Sequence, residues 1–162
     1  MFQKSLQLSV FLENRPGELS KLAKTLGEKG INIIALSIQD PAEYIQRLFK
    51  AREQTSRRIA SADSYRSILK EAAMLTLIRF VTSEPDKSAK VLAEAGYKID
   101  TQEVIMALLE NRPGQLAAIS ERFGKEKINI NYTYGSALDD ATKSLFVFHV
   151  SDMKKALAAL GG

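Results

Sequence analysis

Apolar and polar residues alternate through the first part of the chain. The apolar set is Leu6, Leu8, Val10 and Leu12, and the residues between them are Gln7, Ser9 and Phe11. This period of two predicts a strand with one face on the core. Apolar residues then recur at helical spacing, at Leu19, Leu22, Ala23 and Leu26, and predict an amphipathic helix.

Similar patterns predict four further elements in the first part of the chain. They are a strand that begins at Ile31, a strand over residues 74–82, a helix over residues 85–95 and a strand over residues 97–103. The order strand–helix–strand–strand–helix–strand is that of the ferredoxin-like fold. The predicted fold class is therefore α+β.

Part of this pattern occurs twice. Residues 12–19 read LENRPGEL and residues 109–116 read LENRPGQL, while residues 27–33 read GEKGINI and residues 124–130 read GKEKINI. Both matches share one offset, which indicates duplication of a structural unit. We therefore predict two ferredoxin-like βαββαβ modules, at residues 1–101 and 102–162, of which the second lacks its last strand.

The missing strand would leave one edge of a sheet unpaired, and unpaired edges recruit partners. We expect another element to cover this edge, either from the first module or from a second chain. Side-by-side pairing of the modules predicts eight strands if the edge is filled and seven otherwise. The open edge and the small size of each module favour a homodimer.

Residues 41–73 form an insertion between the second and third strands of the first copy. Apolar residues at helical spacing predict that it is helical; they are Tyr44, Ile45, Leu48, Phe49, Tyr65, Ile68, Leu69 and Ala72. Arg and Lys outnumber Asp and Glu here, so the segment carries most of the net charge of +4. A solvated basic face is the favoured interpretation, ahead of a docking surface for protein or nucleic acid and of a membrane-surface helix.

The turn Asn-Arg-Pro-Gly joins strand to helix in both copies, at residues 14–17 and 111–114. Pro16 and Pro113 are expected in the first helical turn. Backbone N–H groups at a helix start lack partners and favour a carboxylate, and glycine permits close approach of a ligand. A purely structural turn explains the same residues equally well.

A second recurrence favours ligand binding. Asparagine stands in the apolar Ile-Asn-Ile strand of both copies, as Asn32 and Asn129. The candidate ligand-binding residues are therefore Asn14, Arg15, Gly17, Asn32, Asn111, Arg112, Gly114 and Asn129.

These motifs resemble the ACT domain, a regulatory module of amino-acid metabolism, over nearly the whole chain apart from the insertion. The resemblance implies that an amino acid or similar small ligand binds at interfaces between modules. In the serine-inhibited phosphoglycerate dehydrogenase, the residues that match Asn14 and Asn32 lie at the serine site. Leu12 replaces a histidine of that enzyme, and Lys127 stands where the first copy has Gly30, so the ligand and the second site are expected to differ.

No pattern indicates catalysis, a cofactor or a metal site. The chain has no cysteine, which excludes disulfides and thiolate ligands. Its single histidine, His149, lies on an alternating strand without a nucleophile motif and is interpreted as structural. Asp139-Asp140 is typical of a hairpin turn. We expect a protein that is not an enzyme.

The favoured hypothesis is an amino-acid sensor that acts in trans on a metabolic enzyme or regulator. No apolar run approaches about 20 residues and no signal peptide is recognisable, which predicts a cytoplasmic protein without a membrane span. Two weaker alternatives are a pure assembly role and nucleic-acid binding. The latter rests on strand aromatics, Tyr132, Tyr134, Phe146 and Phe148, but the basic–aromatic signature of RNA-binding sheets is absent.

Overall fold

The computed structural model describes residues 1–53, 62–137 and 142–161. The strands are β1 (Phe2–Glu13), β2 (Ile33–Gln39), β3 (Leu75–Thr82), β4 (Ile99–Glu110), β5 (Ile130–Ala137) and β6 (Lys143–Val150). The helices are α1 (Glu18–Gly27), α2 (Pro41–Glu53), α3 (Ala62–Ala72), α4 (Pro85–Glu94), α5 (Gln115–Lys125) and α6 (Met153–Ala159). Asp139 and Asp140 lie outside the described residues. Within the described ranges, no helix is long and apolar enough to cross a membrane.

The strands form one antiparallel six-stranded sheet in the order β2-β3-β1-β4-β6-β5. The prediction of seven or eight strands is wrong. The strand expected at residues 97–103 and the first strand of the second module are one continuous strand, β4, whose first part pairs with β1 and whose last part pairs with β6. One strand therefore completes the first repeat and begins the second.

The edge expected to be open in the second repeat is filled by β1. Residues 2–7 of β1 extend past the end of its pairing with β3 and pair with residues 102–107 of β4. The first of the two expected sources of a covering element is thus the one observed. Both β1 and β4 serve both repeats.

Two apolar cores lie between the sheet and the helices. In the first repeat, Leu22 and Leu26 of α1 pack with Leu8 and Phe80 of the sheet. In the second repeat, Phe123 of α5 packs with the strand and α6 residues Ile105, Phe148 and Ala156. The apolar positions of the sequence pattern that face the helices are thus buried as expected.

Both repeated turns place their proline before the helix rather than in its first turn. The helices begin at Glu18 and Gln115, directly after glycines with φ of 92° and 90°. Other residues seldom adopt this left-handed conformation, so Gly17 and Gly114 are required by the backbone, and the proline is held in the turn that precedes them. The expected position of Pro16 and Pro113 in the first helical turn is therefore wrong, since each lies two residues before its helix.

The loop after each repeated helix has the same backbone in both copies despite a change of residue. Gly30 has φ of 71° and Lys127 has φ of 57°, and Lys127 is the one non-glycine residue with positive φ in the described chain. The second repeat thus keeps the conformation of the first at a cost in backbone strain.

The face of the sheet opposite the helices is also partly enclosed. The sheet curls until its edge strands β2 and β5 lie within 8 Å of each other, measured between Cα atoms. A third apolar cluster, around Ala35, Val81 and Val147, fills the space between them. Gln7, which the alternation assigned to the polar face of β1, is 0% exposed for this reason.

Because β1 and β4 belong to both repeats, we expect the chain to unfold in one cooperative transition. Phe123→Ala removes a buried ring that lies 5.8 Å from Phe148, and it should lower the free energy of unfolding by about 3–5 kcal/mol. In this variant, the hydrogen-exchange rates of the slowest amides of β3, in the first repeat, should rise as much as those of β6, in the second.

The matched control is Leu116→Ala on the same helix, where the side chain is 41% exposed and the effect should stay below about 1 kcal/mol. Separate melting of the two repeats, with β3 unaffected by Phe123→Ala, would contradict the shared-strand interpretation.

Candidate functional site

The first repeated turn is exposed and is fastened to the end of β3. The Asn14 backbone N–H donates to the Met74 carbonyl at 2.9 Å, and its Nδ2 donates to the Ala73 carbonyl at 3.4 Å. In the second repeat the Asn111 N–H donates to the Thr142 carbonyl at 2.8 Å. Each asparagine therefore has a structural role in closing the strand pairing next to the turn.

The arginines of both turns are engaged by neighbouring carboxylates. Arg15 forms an ion pair with Glu13 and lies 3.6 Å from Glu18, and Arg112 lies 2.7 Å from Glu110. All of these arginine side chains are more than half exposed, so the pairs contribute little stability.

The two helix starts differ in charge. Neither Gly17 nor Gly114 provides a side-chain cap. The first amide of each helix donates to an arginine carbonyl of the turn, Glu18 to Arg15 at 3.4 Å and Gln115 to Arg112 at 3.5 Å, so only the amides that follow lack a capping partner. Glu18 stands in the first turn of α1, where a hydrogen bond from Lys21 lowers the pKa of its carboxyl. The second repeat has the neutral Gln115 at this position. An incoming carboxylate therefore meets a negative side chain in the first helical turn of α1 and none in the first helical turn of α5.

Asn32 and Asn129 share another arrangement, each with a serine that precedes a helix. The Asn32 N–H donates to Ser83 Oγ at 3.1 Å and the Ser83 N–H donates to the Asn32 carbonyl at 2.9 Å. Asn129 and Ser151 exchange the same two bonds, both at 2.9 Å. No sequence motif indicated these serines, although both stand two residues before a helix start.

The structure does not bring the turn asparagine and the strand asparagine of one repeat together. Asn14 is bonded to Met74 and Asn32 to Ser83, at opposite ends of β3. At the rise of an extended strand, nine residues separate these ends by about 30 Å. Asn111 and Asn129 are divided in the same way by β6, between Thr142 and Ser151. Each candidate set is therefore split into two exposed locations.

A cleft of about 480 Å³ lies on the inner face of the curled sheet. We call it the inner cleft, and its lining includes Ser9, Phe11, Arg79, Asp100, Tyr132 and His149. It draws on β1 and β3 from the first repeat and on β5 and β6 from the second. None of the residues predicted from the sequence lines it.

Hydrogen bonds fix the position of Tyr132 in the wall of this cleft. Gln7 Nε2 donates to the Tyr132 hydroxyl at 2.7 Å, and that hydroxyl donates to Gln102 Oε1 at 2.9 Å. The Tyr134 hydroxyl donates to Gln7 Oε1 at 2.9 Å. Gln7 thus links β1 to two tyrosines of β5 in a partly buried network, in which its own polar atoms are all bonded.

A guanidinium and an imidazole ring also contact the Tyr132 ring. The Arg79 guanidinium carbon lies 4.5 Å from its centroid, and the His149 ring is stacked on it at 4.8 Å. Burial and the positive charge of Arg79 lower the pKa of His149. Burial also raises the pKa of Tyr134, so its hydroxyl remains a donor at neutral pH.

The strand aromatics are divided between the two faces of the sheet. Tyr132 and Tyr134 lie on the inner face, whereas Phe146 and Phe148 pack against the helices. No single face presents these rings as a stacking platform for bases. Among the described residues, no group of three or more Asp, Glu or His side chains is placed to hold a metal ion.

The Gln7 network can be tested by a double-mutant cycle. Gln7→Leu removes the acceptor of the Tyr134 hydroxyl in a buried setting, and we expect the free energy of unfolding to fall by about 1–3 kcal/mol. Tyr134→Phe in the Gln7→Leu background should recover part of this loss, because it removes the unpaired hydroxyl. Chemical denaturation measures all four corners of the cycle. Additive effects of the two substitutions would exclude the coupling.

Comparison with known families gives two matches on this chain. The ACT domain profile matches residues 6–71, and the profile for an ACT domain pair matches residues 58–160. A search of curated protein sequences found no match.

Solved structures with the same fold cover almost the whole chain. A protein from Bacteroides thetaiotaomicron matches with 25% identity and a TM-score of 0.72, over 99% of this chain and 88% of that one. The regulatory subunit of aspartate kinase from Thermus thermophilus matches with 12% identity and a TM-score of 0.58, over 99% and 93%. An aspartokinase structure with α and β subunits matches with 14% identity and a TM-score of 0.56, over 99% and 93%.

The last two likenesses concern the fold alone. The profile matches go further, because they cover the repeated turns as well as the sheet. They support a ligand-binding regulatory role, and they establish that the chain belongs to the ACT domain family, with two ACT units in tandem.

Proposed function

We propose that this protein is an amino-acid sensor that regulates a metabolic enzyme or regulator in trans and is not itself an enzyme. The observation that carries the proposal is the recurrence of an uncapped helix start behind Asn-Arg-Pro-Gly in both units of an ACT pair. Such a start offers backbone N–H donors to a carboxylate, beside an asparagine that both donates and accepts.

The proposed modules are residues 1–101 and 102–162, with the helical insertion at about residues 41–73 in the first. The boundary falls within β4, so neither module is proposed to fold without the other. Trans action is compatible with this fold, because one structure that shares it is a regulatory subunit of aspartate kinase.

The proposed ligand contacts are Asn14, Arg15, Gly17 and Asn32 in the first repeat and Asn111, Arg112, Gly114 and Asn129 in the second. We favour the second turn for a carboxylate, since Gln115 adds no negative charge where the first turn has Glu18. Arg112 can exchange Glu110 for the ligand carboxylate. The loss of stability is small, because the Arg112–Glu110 ion pair is exposed.

A homodimer would bring the separated halves of each site together. Asn14 and Asn32 lie at opposite ends of β3, so one chain cannot apply both to a single amino acid. In the proposed dimer, the turn of one chain faces the strand asparagine of its partner, which agrees with the ACT preference for sites between modules.

A thermal-shift screen of the intact chain against the twenty amino acids tests the sensor function. A ligand at a hundredfold excess over its Kd should stabilise the protein by about 2.7 kcal/mol. For an amino acid that binds, Asn111→Ala should remove the part of the shift that comes from the second-repeat sites. Gln115→Glu should reduce the shift, because it puts a negative charge beside the ligand carboxylate.

The matched control is Glu121→Gln, which changes a charge on the same helix at an exposed ion pair with Lys125. This variant should bind like the parent protein. A screen without any shift at millimolar concentrations, or a shift indifferent to Asn111→Ala, would refute the turn as an amino-acid site.

Mixing two inactive variants tests the shared site. Asn14→Ala and Asn32→Ala should each abolish binding at the first-repeat sites of a homodimer. In a mixed dimer one site carries both substitutions and the other carries neither, so an equimolar mixture should recover about a quarter of the sites, by random assortment of chains in pairs. Calorimetric stoichiometry measures this recovery, in the Asn111→Ala background to silence the second repeat. No recovery in a mixture shown to exchange chains would exclude a site shared in this way.

A further inference from the structure

Arg79 presents a guanidinium to the inner cleft without a carboxylate partner. It donates one hydrogen bond, from an Nη to Gln39 Oε1 at 3.0 Å, and it forms no ion pair within the described part of the chain. Its side chain is only half-buried, so the remaining N–H groups are open to a ligand. We infer that the inner cleft is a second ligand site, separate from the repeated turns, which binds a small carboxylic acid with an apolar group.

The guanidinium is held in place before any ligand arrives. Gln39 of β2 binds one of its nitrogens, and the Tyr132 ring of β5 lies against its face at 4.5 Å. Tyr132 is itself fixed through its hydroxyl by Gln7 and Gln102. A planar donor with fixed orientation suits the two oxygens of a carboxylate, and prior fixation lowers the entropy lost on binding.

The rest of the cleft fits an apolar group next to this carboxylate. Phe11 is 59% exposed on the cleft wall, although it is a large apolar residue. Leu77 and Ile99 extend the apolar surface on the neighbouring strands β3 and β4. A volume of about 480 Å³ is in the range of small-molecule sites that combine apolar walls with a few polar groups.

Asp100 should distinguish amino acids from carboxylic acids that lack an amine. The register places Arg79, Ser9 and Asp100 side by side on β3, β1 and β4, with Arg79 and Asp100 two strand spacings, or about 10 Å, apart. Asp100 forms no ion pair with another described residue and would attract the ammonium of an amino acid. An acid without an amine lacks that attraction.

His149 gives this site a built-in reporter, because it is the only histidine of the chain. Its Nδ1 lies 3.1 Å from Asn131 Nδ2, an arrangement that suits the neutral ring as an acceptor. Three other charged residues line the cleft. Arg79 lies on β3, Lys98 directly precedes β4, and Asp100 is the second residue of β4. Burial and the positive charge of Arg79 keep the pKa of His149 low. A bound carboxylate offsets the positive charge of Arg79 and should raise that pKa. Binding should therefore tighten as the pH falls from the raised pKa of the complex to the lower pKa of the free protein, which lies below the ordinary value of about 6.5.

Nuclear magnetic resonance of the His149 ring in the intact chain tests the site. The probes are L-leucine, L-phenylalanine and their amine-free counterparts 4-methylpentanoate and 3-phenylpropanoate. At least one probe should give saturable shifts and raise the pKa of His149. Arg79→Gln should raise the Kd of that probe by about tenfold or more, since the loss of a hydrogen bond to a charged group changes an affinity by about that factor. Arg122→Gln, an exposed arginine of α5, should leave the Kd unchanged.

Two further variants identify the ligand class and guard against a folding defect. Asp100→Asn should weaken the binding of the amino acids and leave the binding of the amine-free acids unchanged. Arg79→Lys keeps the charge and should bind more weakly than the parent but more tightly than Arg79→Gln. The inference is overturned if no probe moves the His149 signals at millimolar concentrations, or if Arg79→Gln binds as well as Arg122→Gln. Asn111→Ala separates it from the proposed turn site, because that variant should not alter binding in the cleft.

Discussion

The antiparallel pairing of β1 with β4 is the interaction on which the rest of the molecule depends. Its register runs from Phe2 opposite Ala107 to Val10 opposite Ile99. Through it, β1 completes the second repeat and β4 completes the first. Two units that would each expose a sheet edge thus cover each other, and no additional strand is needed in the second repeat. The same pairing reverses the direction of the second repeat relative to the first, which places their turns at opposite ends of the sheet.

The curl of this continuous sheet creates an interior on the side without helices. When β2 and β5 approach each other, Ala35, Val81 and Val147 become buried, and polar side chains on the same face are carried in with them. Gln7 remains compatible with burial because both of its polar atoms bind tyrosine hydroxyls of β5. An unpaired amide there would be costly, so the network also specifies which strand closes over β1.

Much of the fold follows from local pattern, and much of the candidate site does not. Alternation identified β1 and placed Leu8 and Val10 correctly against the helices. It could not show that the opposite face is covered, because a period of two describes the two faces of a strand but not what packs on each. Gln7 was therefore expected in water. The repeat likewise located Asn14 and Asn32, but their separation along β3 depends on strand order and register, which two short motifs do not contain. Arg79 and His149 carried no motif, and only the curl brings them together.

The two kinds of site differ in what a ligand would contact. A ligand at one turn meets residues of one repeat and, within a dimer, of the partner. A ligand in the inner cleft meets Arg79 from the first repeat and Tyr132 from the second, which are joined by a contact across the curl. A ligand shifts a conformational equilibrium only through contacts that differ between the two states. The contacts in the cleft depend on how closely β2 and β5 approach, because Gln39 of β2 and Tyr132 of β5 both hold Arg79. Occupation of the proposed cleft site would thus be sensitive to the curl of the sheet, and occupation of the proposed turn site would be sensitive to the proposed association of two chains.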